Sequence, residues 1–147
     1  MQITGLTIGR KDFAVLLKIR HPNIDPAVLT EAFGLEPECC WQAGEANRDS
    51  DEPGAVRRES YWVAEVPSQP PARVYLGSTL MTAAWRLDQR KEFWARLQSE
   101  GASAQLIVVL GEDALSGFEL PHLLLAMISR NGLSVSFDLR DAAEAAA

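Results

Sequence analysis

The stretch Asp12-Phe13-Ala14-Val15-Leu16-Leu17-Lys18-Ile19-Arg20, followed after a short gap by Asp25-Pro26, decides how this chain is built. Successive strand side chains point to opposite faces, so the alternation predicts a strand with Phe13, Val15, Leu17 and Ile19 buried and Ala14, Leu16, Lys18 and Arg20 on the other side. Asp25 then offers a carboxylate to the free N–H groups of a helix start, Pro26 fits the first helical position, and Gly34 ends the segment. Val28, Leu29, Ala32 and Phe33 fall at helical spacing between these signals.

Working outward, Glu38 to Gln42 reads as a second strand and Ser60 to Val66 as a third. The polar segment Gly44 to Arg58 between them lacks apolar periodicity, which predicts a long, mobile hairpin loop. From Arg73 to Glu100 the pattern is helical, but Lys91 falls where the stripe Leu80, Ala84, Leu87 needs its next apolar contact. The helix is therefore expected to split, with Asp88 capping a second segment that carries Phe93, Trp94 and Leu97 and stops at Gly101. Ala104 to Leu110, apolar at nearly every position, reads as a central strand. After a loop from Gly111 to Gly117, Leu120 to Arg130 forms a last helix and Asn131-Gly132 ends it. Leu133 to Arg140 returns as an alternating strand, with Leu133, Val135, Phe137 and Leu139 expected in the core.

The resulting order, βαββαβ followed by one more αβ unit, predicts an α+β fold with a ferredoxin-like start and a mainly antiparallel sheet. The first and last strands each pair an apolar face with a polar one, so helices are expected on the apolar side and an open sheet face on the other. The 147 residues suit one domain, with a core of about residues 10–140 and an alanine-rich tail at 141–147. With 47% hydrophobic and 23% charged residues the chain can bury a core without disulfides or metal.

Cys39 and Cys40 are adjacent, which suits neither a disulfide framework nor a zinc site and points to a reducing compartment. With no apolar segment long enough for a bilayer and no apolar leader, the expected location is the cytoplasm. A formal net charge of −6 opposes association with nucleic acid or anionic lipid, so neither is expected as a partner.

Several motifs, namely Asp25-Pro26, Gly34-Leu35-Glu36-Pro37, Trp41, Gly44-Glu45, Tyr61-Trp62 with Glu65, Gly117-Phe118-Glu119-Leu120, and Leu133-Ser134 with Phe137-Asp138, span nearly the whole chain. Together they resemble a bacterial domain-of-unknown-function family, the 4279 type. The resemblance implies a two-layer α+β sandwich and carries over no activity, cofactor or catalytic residue. Gln42 stands where the family usually has Arg.

The densest chemistry is Trp41, Gly44 and Glu45 across the hairpin from Tyr61, Trp62 and Glu65, with Arg57 and Arg58 between. Aromatics beside acids and bases line ligand pockets, so Trp41, Gly44, Glu45, Arg57, Arg58 and Trp62 form the candidate binding set. The competing reading has the tryptophans filling the core and Gly44 making a turn. Glu45, Glu59, Glu65 and Glu119 would serve acid-base catalysis only if two of them converge. His21 and His122 sit beside prolines at element boundaries and read as exposed, and Cys39 and Cys40 have no activating base nearby. Asp49, Asp51 and Glu52 lack the glycine and closing glutamate of a calcium loop, and Gly5 and Gly9 do not make a phosphate loop. No catalytic set, metal site or cofactor is expected.

The expected function is a non-catalytic module that binds another protein or a small ligand, with an immunity or regulatory role by analogy. The alternative is a small hydrolase or lyase using Glu45 or Glu65 beside Trp41 and Trp62; it requires those carboxylates to meet in one cleft.

Overall fold

The computed structural model describes residues 12–111 and 117–140; the tail at 141–147 and most of the 111–117 loop lie outside the described residues. The elements run β1 (Phe13–His21), α1 (Pro26–Phe33), β2 (Pro37–Trp41), β3 (Ser60–Val66), α2 (Ala72–Gln89), α3 (Lys91–Ser99), β4 (Ser103–Leu110), α4 (His122–Arg130) and β5 (Leu133–Leu139). At α1 the local signals act as their chemistry requires. The Asp25 carboxylate accepts from the Ala27 N–H at 3.0 Å, and Gly34, at φ 66°, bends back to donate to the Thr30 carbonyl. The long helical stretch divides at Arg90. Asp88 does not cap α3; its carboxylate accepts instead from Asn131 and Arg130 at the end of α4. The start of α2 has no local side-chain cap, and Asp12, 60 residues earlier, accepts from the Ala72 N–H at 2.7 Å.

The strands form one sheet in the order β2-β3-β1-β4-β5. β1 is antiparallel to β3 and β4, and β2 is antiparallel to β3, whereas β5 runs parallel to β4. The sheet is therefore mixed, which amends the expectation of a mainly antiparallel one. The cause is α4: a helical crossover returns the chain to the end of the sheet where β4 began, so β5 must run in the same direction.

Phe13, Val15, Leu17 and Ile19 of β1 join Trp62, Ala64, Leu106 and Val108 under side chains from all four helices. The other sheet face is not the open polar surface expected. Ala14, Leu16, Tyr61, Val63 and Val109 form a second buried cluster there, with Leu16 and Val63 at 0% exposure. Lys18 and Arg20 occupy only the end of β1; its beginning is apolar on both sides.

The last strand also departs from expectation. Leu133 is buried and Val135 packs against the core, but Phe137 is 43% exposed and Leu139 61%. β5 is an edge strand of the sheet, with no other strand on its outer side among the described residues, and Phe137 stacks on Phe118 with ring centroids 5.5 Å apart. Full burial would give Phe137→Ala a cost of 3 to 5 kcal/mol; a ring this exposed should lose about 2 kcal/mol at submicromolar concentration. A denaturant titration showing a loss above about 3 kcal/mol would return Phe137 to the core.

Candidate functional site

The segment expected to be a mobile loop is a laddered extension of the β2–β3 hairpin. Gly44, at φ 93°, takes a left-handed conformation that a Cβ disfavours, and its N–H donates to the Arg57 carbonyl at 2.8 Å. The Arg57 N–H returns to the Glu45 carbonyl, Ala46 bridges Val56, and the Asn47 N–H donates to the Ala55 carbonyl. Within the tip, the Asn47 and Ser50 side chains accept from the Asp49 and Glu52 N–H groups, so backbone polarity is met locally. The base is pinned by Ser60, whose hydroxyl donates to the Ile24 carbonyl at 2.6 Å and accepts from the Ala43 N–H. Polar residues thus supply the anchoring that apolar periodicity would otherwise give. Limited trypsin digestion should therefore cut first at exposed Arg48 in the tip and later at Arg57; early cleavage at Arg57, read by mass spectrometry, would mean the ladder does not form.

Register then builds the site. Trp41 lies directly across from Tyr61, and the two rings stack at 4.4 Å with planes 16° apart. The Arg57 guanidinium covers the outer face of Trp41 at 3.8 Å, and Lys18 Nζ lies 5.9 Å from the Tyr61 ring. The result is a row of cation, ring, ring, cation on the second sheet face, an arrangement favoured by the negative faces of aromatic rings. The Trp41 indole N–H donates to the Glu59 carbonyl at 3.1 Å, and Arg57 pairs with Asp49 at 2.9 Å. Burial pushes the Tyr61 hydroxyl above its ordinary range and Lys18 below its own, the latter helped by nearby Arg20. Tyr61 therefore presents a neutral ring at neutral pH.

Beside this row is an open cleft of about 530 Å³, lined by Trp41, Asn47, Glu52, Val56, Arg57 and Arg58 among others. Of the candidate set, Trp41, Arg57 and Arg58 meet there. Gly44 and Glu45 shape the hairpin through their backbones, and Glu45 projects into solvent.

Trp62 does not belong to this site. Neighbouring strand residues face opposite ways, so with Tyr61 on the second face Trp62 enters the helix-side core. It is 0% exposed, its indole N–H donates to Thr30 Oγ1 at 3.1 Å, and it packs against Phe33. The carboxylates required by the hydrolase alternative are dispersed as well. Glu65 stands opposite Leu16, four residues and so about 13 Å along the strand from Tyr61, whereas Glu45 lies beyond the other end of that pairing.

The remaining reactive side chains have structural explanations. His21, expected to be exposed, is 3% exposed. Its Nδ1 accepts from the Asn23 and Ile24 N–H groups, which leaves the proton on Nε2, 3.3 Å from Glu100. Burial raises both the Cys39 and Cys40 thiols, the opposite of what a nucleophile needs. Among the described residues, no three His, Cys, Asp or Glu side chains gather as a metal-holding group, and no helix is long and apolar enough to cross a membrane.

Two features escaped sequence reasoning. The Arg57 stack on Trp41 links residues 16 apart through a ladder of polar residues that carries no periodic signal. A second cleft of about 650 Å³, where Asp88 receives Asn131 and Arg130, joins residues more than 40 apart in sequence, and nothing local marks it.

No curated protein and no solved structure matches this chain. A family described as Domain of unknown function (DUF4279) matches residues 11–142, the span that contains every strand and helix above and the Trp41–Tyr61–Arg57 row. The chain belongs to that family.

Proposed function

We propose that this domain is a non-catalytic interaction module that takes a partner protein on the hairpin, with Trp41, Arg57 and Arg58 as its principal contacts. The observation that carries this reading is the Arg57 guanidinium stacked 3.8 Å over Trp41 at the edge of an open cleft. Arginine and tryptophan are enriched among the residues that dominate binding energy, and here both are held rigid before any partner arrives. Arg58 is exposed and supplies the charge that meets an acidic group on the partner. The separation of Glu45 from Glu65 and the raised thiol pKa values favour binding over the hydrolysis or lyase chemistry those two carboxylates would serve. The β2-β3-β1-β4 order, antiparallel throughout, supports treating the first four strands as a ferredoxin-like split βαβ platform that leaves the hairpin projecting. A reducing cytoplasm, with Cys39 and Cys40 as free thiols, is the setting this reading assumes. Within it the module would serve an immunity or regulatory role by occupying its partner.

Quantitative affinity capture from the source cells, with wild-type and variant domains as bait, tests the proposal. Arg58→Ala should weaken capture about tenfold and leave the melting temperature unchanged, because an exposed loop charge contributes little to folding. Arg57→Ala should weaken capture too, at a stability cost of about 1 kcal/mol from the lost ring contact and ion pair. Undiminished capture by both variants would remove the hairpin as the binding surface.

A further inference from the structure

We propose that β5 pairs with β5 of a second copy of this chain, antiparallel and centred on Ser136, so that the two five-stranded sheets join edge to edge. The two edges of the sheet are not equivalent. β2 has five residues, begins at Pro37, and shifts register between Pro37 and Cys39, all features that blunt an edge against further pairing. β5 has seven residues in unbroken register with β4 and carries no proline, lysine or bulge.

The backbone phase admits only certain registers, and the Ser136 two-fold is one of them. Leu139 is aligned with Leu110, and the next residue, Arg140, donates its N–H to the Leu110 carbonyl at 2.9 Å. Residues in step with Arg140, namely Ser134, Ser136 and Asp138, therefore turn their backbone groups toward β4. Leu133, Val135, Phe137 and Leu139 turn theirs outward, where β4 cannot reach them. A two-fold axis at Ser136 places Val135 against Phe137 of the second copy and Leu133 against Leu139. All four are outward-facing, so every pair can exchange both of its hydrogen bonds, and the two Ser136 residues meet as a close, non-bonded pair.

Side chains obey the same symmetry. The sequence Leu-Ser-Val-Ser-Phe-Asp-Leu reads apolar, polar, apolar, polar, apolar, polar, apolar from either end. Its four apolar side chains share the helix-side face, where Leu133 is 8% exposed and Val135 packs on the core, while Phe137, stacked on Phe118, and Leu139 stay partly exposed. Antiparallel pairing sets the partly exposed half of each strand beside the covered half of the other. α4 packs on β5 through the buried side of the helix that carries Leu124 and Ile128. The charges are compatible: Asp138 is the strand's only charged residue, is paired with Arg140 at 3.3 Å, and would face the neutral Ser134 rather than its own copy. The alternation is symmetric about Ser136, so a second copy meets it in this register with apolar opposite apolar and polar opposite polar.

Sedimentation equilibrium on the full chain should give twice the 16.1 kDa chain mass, and Phe137→Lys should reduce it to one chain with an unchanged far-ultraviolet circular dichroism spectrum. The register is tested separately, with Cys39→Ser and Cys40→Ser removing the native thiols. Under oxidised glutathione, Ser136→Cys should cross-link most of the protein, because a close non-bonded pair holds Cβ atoms about 4.5 to 5.5 Å apart. Asp138→Cys should cross-link less than a tenth as much, its copies being roughly 13 Å apart in this register. A single-chain mass at 100 µM would overturn the proposal and leave the edge to an extended segment of another protein. Equal cross-linking by the two cysteine variants, or a Phe137→Lys dimer of undiminished strength, would overturn it as well. If Phe137→Lys does not fold, the cysteine comparison decides alone.

Discussion

Replacing Trp62 by Ala should lower the unfolding free energy by about 3 to 5 kcal/mol, the range for removing a large aromatic side chain from a packed core. Three observations place the effect at the upper part of that range. The ring is fully buried, it bridges β3 and α1 through Phe33 and the Thr30 hydroxyl, and its indole donor vanishes with it. The cavity sits between a helix and the sheet, and neither can collapse into it without breaking the register of β3 with β1 and β2. Thr30 adds a smaller cost, because its hydroxyl keeps a donor role toward the Pro26 carbonyl but loses its indole partner. Trp62→Phe should recover more than half of the loss by refilling most of the space. Guanidinium denaturation measures both variants. A loss below about 1 kcal/mol for Trp62→Ala would place the ring at the surface, where it would again be a candidate binding residue.

The contrast between Trp62 and Trp41 marks how far the sequence can be read. Both tryptophans belong to alternating strands, and both were candidates for one site. Alternation alone does separate Tyr61 from Trp62, and one of the two had to enter the core; the apolar neighbours Ala64 and Val66 share the Trp62 side. Joining Trp41 to Tyr61 needs the register of β2 on β3, and that register is set by the Gly44 turn and a shift after Pro37, neither of which periodicity reveals. The Asp25, Pro26 and Gly34 signals were legible because capping chemistry is local. The cap on α2 was not, since Asp12 reaches it from the start of β1, 60 residues away in sequence. The parallel β5 follows from a crossover helix that was itself legible, although the exposure of Phe137 depended on β5 lying at an edge, which element order does not state. Arg57 over Trp41 was hidden for a different reason. Its position comes from a polar ladder in a segment whose composition reads as disorder.

Leu16→Ala should cost about 2 to 5 kcal/mol, which for a chain of this length is a fall of roughly 5 to 15 °C in melting temperature. An open second face would make the same change nearly neutral, within about 0.5 kcal/mol, so the measurement separates the two pictures. Leu16 has no exposed surface, and its side chain belongs to the cluster with Ala14, Val63, Tyr61 and Val109 on the face away from the main core. Loss of its branched end removes apolar burial and leaves a void against Val63, so transfer and cavity contributions act in the same direction. Lys18→Ala, two residues along on the same face, is the internal control. Its ammonium is only partly desolvated and faces the Tyr61 ring at 5.9 Å, so its removal should cost no more than about 1 kcal/mol. The pair of variants also bears on the binding surface. Leu16 and Val63 share one buried cluster with Tyr61, and Tyr61 stacks on Trp41, which carries Arg57. A Leu16→Ala protein that stays folded at low temperature should therefore weaken partner capture through disorder of the ring stack, although Leu16 itself touches no partner. Near-identical melting curves for Leu16→Ala and wild type would show instead that the second face bears no packing load and that the hairpin stands without it.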